Sequence, residues 1–201
     1  LSACSTGATA APVPNTASAP TSAPTAPAVT PDVPFKPYLA ELAPASTDKI
    51  KQITLETRDV NLEVAPGVVM KAWTFNGTVP GPVVHVRQGD TVQFTLVNHG
   101  SMQHSIDFHA AQIAWDKNYQ SINPGESLSF TWTADYPGVF MYHCGTPPVI
   151  HHIASGMYGA IIVDPAEPLA PAKDYVLVQS ELYLTQGADG YYFTDGAKAN
   201  A

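Results

Sequence analysis

Short strand-like segments separated by turns dominate the chain from Ile50 onward. Residues 50–64 and 91–98 alternate apolar and polar side chains, and turn sequences such as Asn76-Gly77 and Asn123-Pro124-Gly125 interrupt the pattern. Such alternation places one face of a strand in a core and the other in solvent. Further segments of this kind span residues 68–75, 83–86, 105–109, 127–133, 139–143, 158–163 and 175–179. This spacing, without a helical period, predicts an all-β fold, either a Greek-key β-sandwich or a barrel.

Composition divides the chain into three parts. Residues 5–33 are almost wholly Ala, Pro, Thr and Ser, with Asp32 as the single charged residue. Such a segment cannot bury a core and predicts a disordered tether. We therefore expect residues 1–46 to form a tether, 47–165 to form one core-bearing domain, and 166–201 to form a linker and the truncated start of a second domain.

The first four residues, Leu1-Ser2-Ala3-Cys4, resemble a bacterial lipobox, in which the cysteine carries lipid. A lipid on Cys4 followed by a polar tether would hold the domain near a membrane, and no stretch approaches the length of a transmembrane helix. This pattern predicts a periplasmic or other extracytoplasmic, membrane-anchored lipoprotein. A disulfide between Cys4 and Cys144, the two cysteines of the chain, is the alternative, but each has a better local explanation.

Five of the seven histidines and one cysteine fall into two clusters, at residues 104–109 and 143–157. Each residue taken alone has a commoner structural role, but their order suggests a metal site. Two imidazoles, one thiolate and a weak axial thioether form the trigonal site of copper electron-transfer proteins. The residues that supply this set are His104, Cys144, His152 and Met157. Zinc also accepts Cys/His ligands, but the single cysteine and the methionine favour one mononuclear copper.

Strand parity predicts a second site beside the first. Neighbouring residues on a strand point to opposite faces, so His143 faces away from the site that Cys144 joins. Asp107 and His109 are two residues apart and share the outer face with His143 if no bulge intervenes. His109 and His143 would bind the metal, and Asp107 would hydrogen-bond substrate and pass protons to it. A catalytic metal usually has three protein ligands and an open position, so we expect the third ligand from another domain or subunit.

The residues around both clusters resemble the first cupredoxin domain of the copper-containing, NO-forming nitrite reductases. The resemblance covers about residues 60–165 and rests on Phe75-Asn76-Gly77-Thr78-Val79-Pro80-Gly81-Pro82 and on residues 104–110, 138–144 and 152–163. It implies a cupredoxin fold with two coppers and a homotrimer whose third type 2 histidine comes from a second domain across a subunit boundary. By this resemblance His104, Cys144, His152 and Met157 bind type 1 copper, His109 and His143 bind type 2 copper, and Asp107 is the catalytic acid.

The resemblance implies one-electron reduction of nitrite to nitric oxide and water, with two protons consumed, as in denitrification. Electrons from a small redox protein, either a cupredoxin or a c-type cytochrome, would enter at type 1 copper and pass through Cys144-His143 to type 2 copper. We expect this chain alone to be inactive, because the second site is incomplete. We expect His151 to be an exposed neighbour of the ligand His152. With 17 acidic against 9 basic residues, nucleic acid is not expected as a partner.

Three alternatives are weighed against this function. A laccase-like multicopper oxidase needs His-X-His pairs and a His-Cys-His motif, but Gly145 follows Cys144 and the sequence has no His-X-His. A membrane-tethered electron carrier needs only the type 1 copper, and the type 1 residues fit it equally well. Asp107, His109 and His143 discriminate between the two, because a carrier has no use for them. A cupredoxin domain with degenerate sites is disfavoured by the complete type 1 ligand set.

Overall fold

The computed structural model describes residues 27–114 and 116–201. Cys4, and with it the predicted lipobox, lies outside the described residues, as does most of the predicted tether. Within the described part, no helix is both long and apolar enough to cross a bilayer.

Ten β-strands and two short α-helices make up the described chain. The strands are β1 (Ile50–Ala65), β2 (Val68–Phe75), β3 (Val84–Arg87), β4 (Thr91–Asn98), β5 (Asp107–Phe108), β6 (Ser127–Thr133), β7 (Gly138–His143), β8 (Tyr158–Asp164), β9 (Leu184–Gln186) and β10 (Tyr192–Thr194). The helices are α1 (Val149–Ala154) and α2 (Gly196–Ala199), and a single 3-10 turn spans His109–Ala111. The predicted all-β class is therefore confirmed.

Two sheets carry the fold. One has six strands in the order β6-β4-β1-β2-β10-β9, and the other has four in the order β3-β8-β7-β5. Strands β1 and β4 are parallel neighbours although β2 and β3 lie between them in sequence, and β3 and β8 are also parallel. Such non-sequential neighbours are expected where a chain crosses between two sheets, as in Greek-key sandwiches.

Aromatic side chains fill the space between the sheets. Phe94 of β4 meets Phe108 of β5 edge to face, with ring centroids 4.8 Å apart. Tyr142 of β7 is fully buried and donates a hydrogen bond of 2.6 Å to the Pro82 carbonyl. Burial of each such ring contributes about 2 kcal/mol to folding. Because Tyr142 points into the core, the pleat of β7 turns the next side chain, His143, away from it.

The segments flanking the predicted domain lie against it. Glu63 donates its backbone N–H to the Val33 carbonyl at 2.9 Å, which places the end of the predicted tether beside β1. The two flanking segments also contact each other, because the Val176 N–H donates to the Ala40 carbonyl at 2.7 Å. Near the C-terminus, Tyr192 of β10 pairs with Met70 of β2. Residues from the part predicted to begin a second domain thus add two strands to the larger sheet.

Some elements differ from the sequence-based prediction. The strand predicted over residues 175–179 is wrong, because Tyr175 forms only an isolated bridge with Glu41. The strands of this region occur later in the chain, as β9 and β10. Residues 149–154, for which the sequence predicts no helix or strand, form helix α1, which is too short to show a helical period in sequence.

Candidate metal centres

Three buried donor atoms converge between the end of β7 and helix α1. Cys144 Sγ lies 3.4 Å from His152 Nδ1 and 3.9 Å from His104 Nδ1. The two histidine Nδ1 atoms are 3.3 Å apart. All three side chains are almost inaccessible to solvent. We name His104, Cys144 and His152 the inner site.

Backbone hydrogen bonds from three parts of the chain hold the inner site. The His104 and Ile122 backbones exchange two hydrogen bonds of 3.2 and 2.8 Å, which anchor the loop before β5. The Cys144 N–H donates to the Met157 carbonyl at 3.0 Å, and the Met157 N–H donates to the His152 carbonyl at 3.1 Å. Met157 is fully buried and lies directly before β8. The predicted fourth ligand is therefore fixed by backbone contacts to both Cys144 and His152.

The inner histidines are held in their neutral form. Burial, with a smaller effect from His152, lowers the pKa of His104 to about 4. Burial, with a smaller effect from His151, lowers the pKa of His152 to about 4. A neutral imidazole keeps the lone pair that a metal ion needs. At neutral pH each ring therefore has one nitrogen with a lone pair available to a metal ion.

Trp73 of β2 covers the inner site, and the sequence analysis missed it. Its ring centroid lies 5.9 Å from that of His104, 4.8 Å from that of His152 and 5.2 Å from that of His151. Nothing in the sequence marks a strand tryptophan as a neighbour of residues about 30 and 80 positions away. His151 is partly exposed and lies outside the group of converging donors, and its role stays a prediction.

A second donor group lies on the opposite side of β7. One ligand atom each from Asp107, His109 and His143 falls within 4.8 Å of the others. The Nε2 atoms of the two histidines are 3.1 Å apart, and Asp107 is the register partner of His143 in the β5–β7 ladder. We name these three residues the outer site. His109 is exposed, and Asp107 and His143 are partly exposed.

The tautomer of His143 follows from its neighbour. Its Nδ1 lies 2.9 Å from the Cys144 carbonyl, which can only accept a hydrogen bond. Nδ1 therefore carries the proton, and Nε2 presents its lone pair toward His109. Strand parity explains the position of His143, but His109 begins a 3-10 turn and is not part of an extended strand. The outer group forms all the same, because Asp107 is still in β5.

The donor chemistry of both groups fits copper. The inner site offers two neutral imidazoles and one cysteine sulfur, with a buried thioether residue between α1 and β8, and this is the set that copper electron-transfer sites use. A structural zinc site would have four strong ligands, usually with more than one cysteine. The outer site offers two imidazoles and a carboxylate at the surface. This set suits a metal ion whose remaining positions are open to another ligand and to substrate.

Comparisons with known proteins agree with this chemistry. The sequence model of the multicopper oxidase family matches residues 56–168. The copper-containing nitrite reductase of Neisseria meningitidis (serogroup A / serotype 4A) is 38% identical over 156 residues, which is 75% of this chain and 40% of that protein. The chain thus spans about 40% of the length of the curated relatives that it matches first.

Solved structures share the same architecture. The copper nitrite reductase of Nitrosomonas europaea superposes with a TM-score of 0.53 at 52% sequence identity, covering 58% of this chain and 43% of that one. A crystal structure described as a multicopper oxidase superposes with a TM-score of 0.58 at 35% identity, covering 61% of this chain and 45% of that one.

Proposed function

The chain belongs to the multicopper oxidase family, and we propose that it is the first cupredoxin domain of a copper-containing nitrite reductase that forms nitric oxide. One observation carries the proposal: consecutive residues, Cys144 and His143, belong to two separate donor groups, the inner and the outer site. Similarity to the nitrite reductases of Neisseria meningitidis and Nitrosomonas europaea supports it.

In this proposal the inner site is where electrons enter. His104, Cys144, His152 and Met157 would hold type 1 copper, whereas His109 and His143 would hold type 2 copper. Bound copper would supply a one-electron couple at the inner site and a binding position for nitrite at the outer site. The peptide bond between Cys144 and His143 gives a short covalent path between the two groups.

Asp107 lies where it can act as the acid in the reaction at the outer site. Its carboxylate lies beside both outer histidines and faces the same partly exposed surface. A carboxyl group there can hydrogen-bond a nitrite oxygen and deliver one of the two protons that leave as water. Its register pairing with His143 fixes its distance from the metal ligand, so the acid and the ligand are positioned by one strand pair.

The outer site lies on a face suited to contact with another protein surface. Val139 and Met141 alternate with less exposed residues on β7 and share the outward face with His143. They are 75% and 38% exposed, so an apolar strip leads along the strand to the outer site. Contact with another protein surface would remove these apolar side chains from water. We propose that the third type 2 ligand arrives on this face from a second domain in a homotrimer.

Two further elements of the proposal concern the cellular setting. A small redox protein, a cupredoxin or a c-type cytochrome, would donate electrons at the inner site, and the reaction would serve denitrification. The lipobox-like start of the chain supports a periplasmic or other extracytoplasmic lipoprotein that is anchored through Cys4.

The outer site separates this function from the alternatives. An electron carrier would use the inner site alone and would leave Asp107, His109 and His143 without a purpose. A laccase-like oxidase needs His-X-His pairs, and the sequence has none.

The proposal is tested with the copper-loaded protein in its complete, two-domain form, with nitric oxide measured after addition of nitrite and a reduced viologen dye. The unmodified protein should form nitric oxide, whereas His143→Ala should keep the thiolate-to-copper absorption and lose the activity. The 201-residue chain alone should show the absorption without activity. Full activity in His143→Ala, or in the chain alone, would contradict the proposal.

A further inference from the structure

Ser105 touches the thiolate of the inner site from two directions. It follows His104 directly and is completely buried. Its backbone N–H donates to Cys144 Sγ at 3.4 Å, and its side-chain Oγ lies 3.9 Å from the same sulfur. The residue therefore presents both of its hydrogen-bond donors to one sulfur atom.

The hydroxyl of Ser105 also binds the chain that follows Cys144. The Gly145 N–H donates to Ser105 Oγ at 2.9 Å, and the Thr146 hydroxyl donates to it at 3.2 Å. A hydroxyl has one proton and two acceptor lone pairs. Because both lone pairs are used, the one proton of Ser105 is free to point toward Cys144 Sγ.

These hydrogen bonds belong to a chain that extends to the protein surface. Thr146 Oγ1 lies 2.9 Å from Ser121 Oγ, and since Thr146 gives its proton to Ser105, Ser121 is the donor in that pair. The chain of hydroxyls thus runs in one direction from the partly exposed Ser121, through Thr146 and Ser105, to the thiolate. Hydrogen bonds aligned in this way strengthen one another in a buried environment.

We propose that Ser105 is a positioning residue that, together with Thr146, raises the reduction potential of the inner site. Hydrogen bonds to a cysteine sulfur tune the potential of copper sites of this type. The donors withdraw electron density from the sulfur and weaken its donation to the metal ion, which stabilises the reduced ion relative to the oxidised one. Reduction adds one electron and neither forms nor breaks a bond to Ser105. The inference rests on the proposed binding of copper at the inner site.

The test measures the midpoint potential of the copper-loaded protein by titration of its thiolate-to-copper absorption. Ser105→Ala should lower the equilibrium constant for reduction by up to about tenfold, which is a downward shift of about 59 mV for one electron. Thr146→Val, which keeps the side-chain shape, should shift the potential in the same direction by less. Thr146→Ser, which keeps the hydroxyl, should stay close to the unmodified protein.

Two results would overturn the inference. One is an unchanged potential in both Ser105→Ala and Thr146→Val. The other is an equal shift in Thr146→Ser and Thr146→Val, which would assign the effect to packing. If Ser105→Ala does not fold, the comparison of Thr146→Val with Thr146→Ser tests the inference by itself. Absence of the absorption from the unmodified protein would instead contradict the proposed copper site, so the two failures are distinguishable.

Discussion

His143 and Cys144 are adjacent in sequence, but their side chains belong to different clusters on opposite sides of β7. Cys144 Sγ lies 3.4 Å from His152 Nδ1, whereas His143 Nε2 lies 3.1 Å from His109 Nε2. Burial of Tyr142 in the core fixes this arrangement, because it determines the face on which each following side chain emerges. The two clusters can therefore be altered independently by substitution.

Cys144→Ala should remove the intense absorption of the copper-loaded protein, because Cys144 is the only cysteine among the predicted ligands. The chain offers a matched control in Cys4→Ala, since Cys4 is the second of its two cysteines and is not one of the predicted ligands. A visible spectrum measured after copper loading should be lost in the first variant and kept in the second. An unchanged spectrum in Cys144→Ala would remove Cys144 from the copper site.

Asp107→Asn should slow nitrite turnover by roughly 10²- to 10⁴-fold in the complete protein, because it removes an acid from the outer site. The inner-site absorption should not change. Asp135→Asn, which alters an exposed carboxylate between β6 and β7, is the control and should turn over normally. Equal turnover rates for Asp107→Asn and the unmodified protein would exclude Asp107 from the reaction.

Gly100→Ala should disturb the inner site, because a Cβ at this position would lie 2.8 Å from His104 Nε2 and 2.9 Å from His104 Cδ2. The ring is buried and packed, so it can move only by shifting its Nδ1 within the site. We expect a shifted absorption band, weaker copper binding and about 1–3 kcal/mol less stability. Ser101→Ala, at the exposed neighbouring residue, should change none of these. A native spectrum and stability in Gly100→Ala would show that His104 tolerates displacement.

Asp90→Asn should destabilise the domain, although Asp90 belongs to neither site. Asp90 and Lys51 form a buried ion pair of 3.2 Å, and its loss leaves a lysine charge without its carboxylate. Urea unfolding should show a loss of about 3 kcal/mol. Lys49→Ala is the control: its ammonium also contacts Asp90, but its side chain is 74% exposed, so a loss of under about 1 kcal/mol is expected. Equal losses in the two variants would contradict the buried-pair argument.

The contribution of Asp90 should also depend on pH. Burial raises the pKa of Asp90, but the hydrogen bond from the Arg87 N–H and the bond and charge of Lys51 lower it more, so the pKa lies below its ordinary value of 3.8. The folded state therefore binds this proton less readily than the unfolded state. The stabilisation is complete above the ordinary pKa and is lost as the pH falls through the lowered one. The stability difference between the unmodified protein and Asp90→Asn should narrow below about pH 4.

Periodicity located most of the strands, because each strand has one buried and one exposed face. It also placed Asp107 and His143 on a common face, and the β5–β7 register pairs these two residues directly. Short elements were less predictable. Helix α1 has six residues, fewer than two helical turns, so its position depends on contacts with the rest of the fold.

Contacts between distant segments were beyond prediction from sequence. Trp73 is an aromatic residue in a strand, and Ser105 is a hydroxyl residue in a loop. Neither kind of residue indicates a neighbouring metal site in the sequence. Their positions depend on how β2 and the loop after Cys144 pack around His152. The pairing of β10 with β2 likewise rests on a single register pair, Tyr192 with Met70, which no local pattern encodes.

The alternation of side chains along β7 has a consequence for how the two sites can be lost during evolution. Insertion of one residue between Tyr142 and His143 would reverse the faces of the residues that follow, and it would disrupt both donor groups in a single event. A point substitution at His143 or at Cys144 damages only one group. Substitution can therefore remove the outer site in a descendant of this chain and keep an electron-carrying inner site. An insertion at this point cannot.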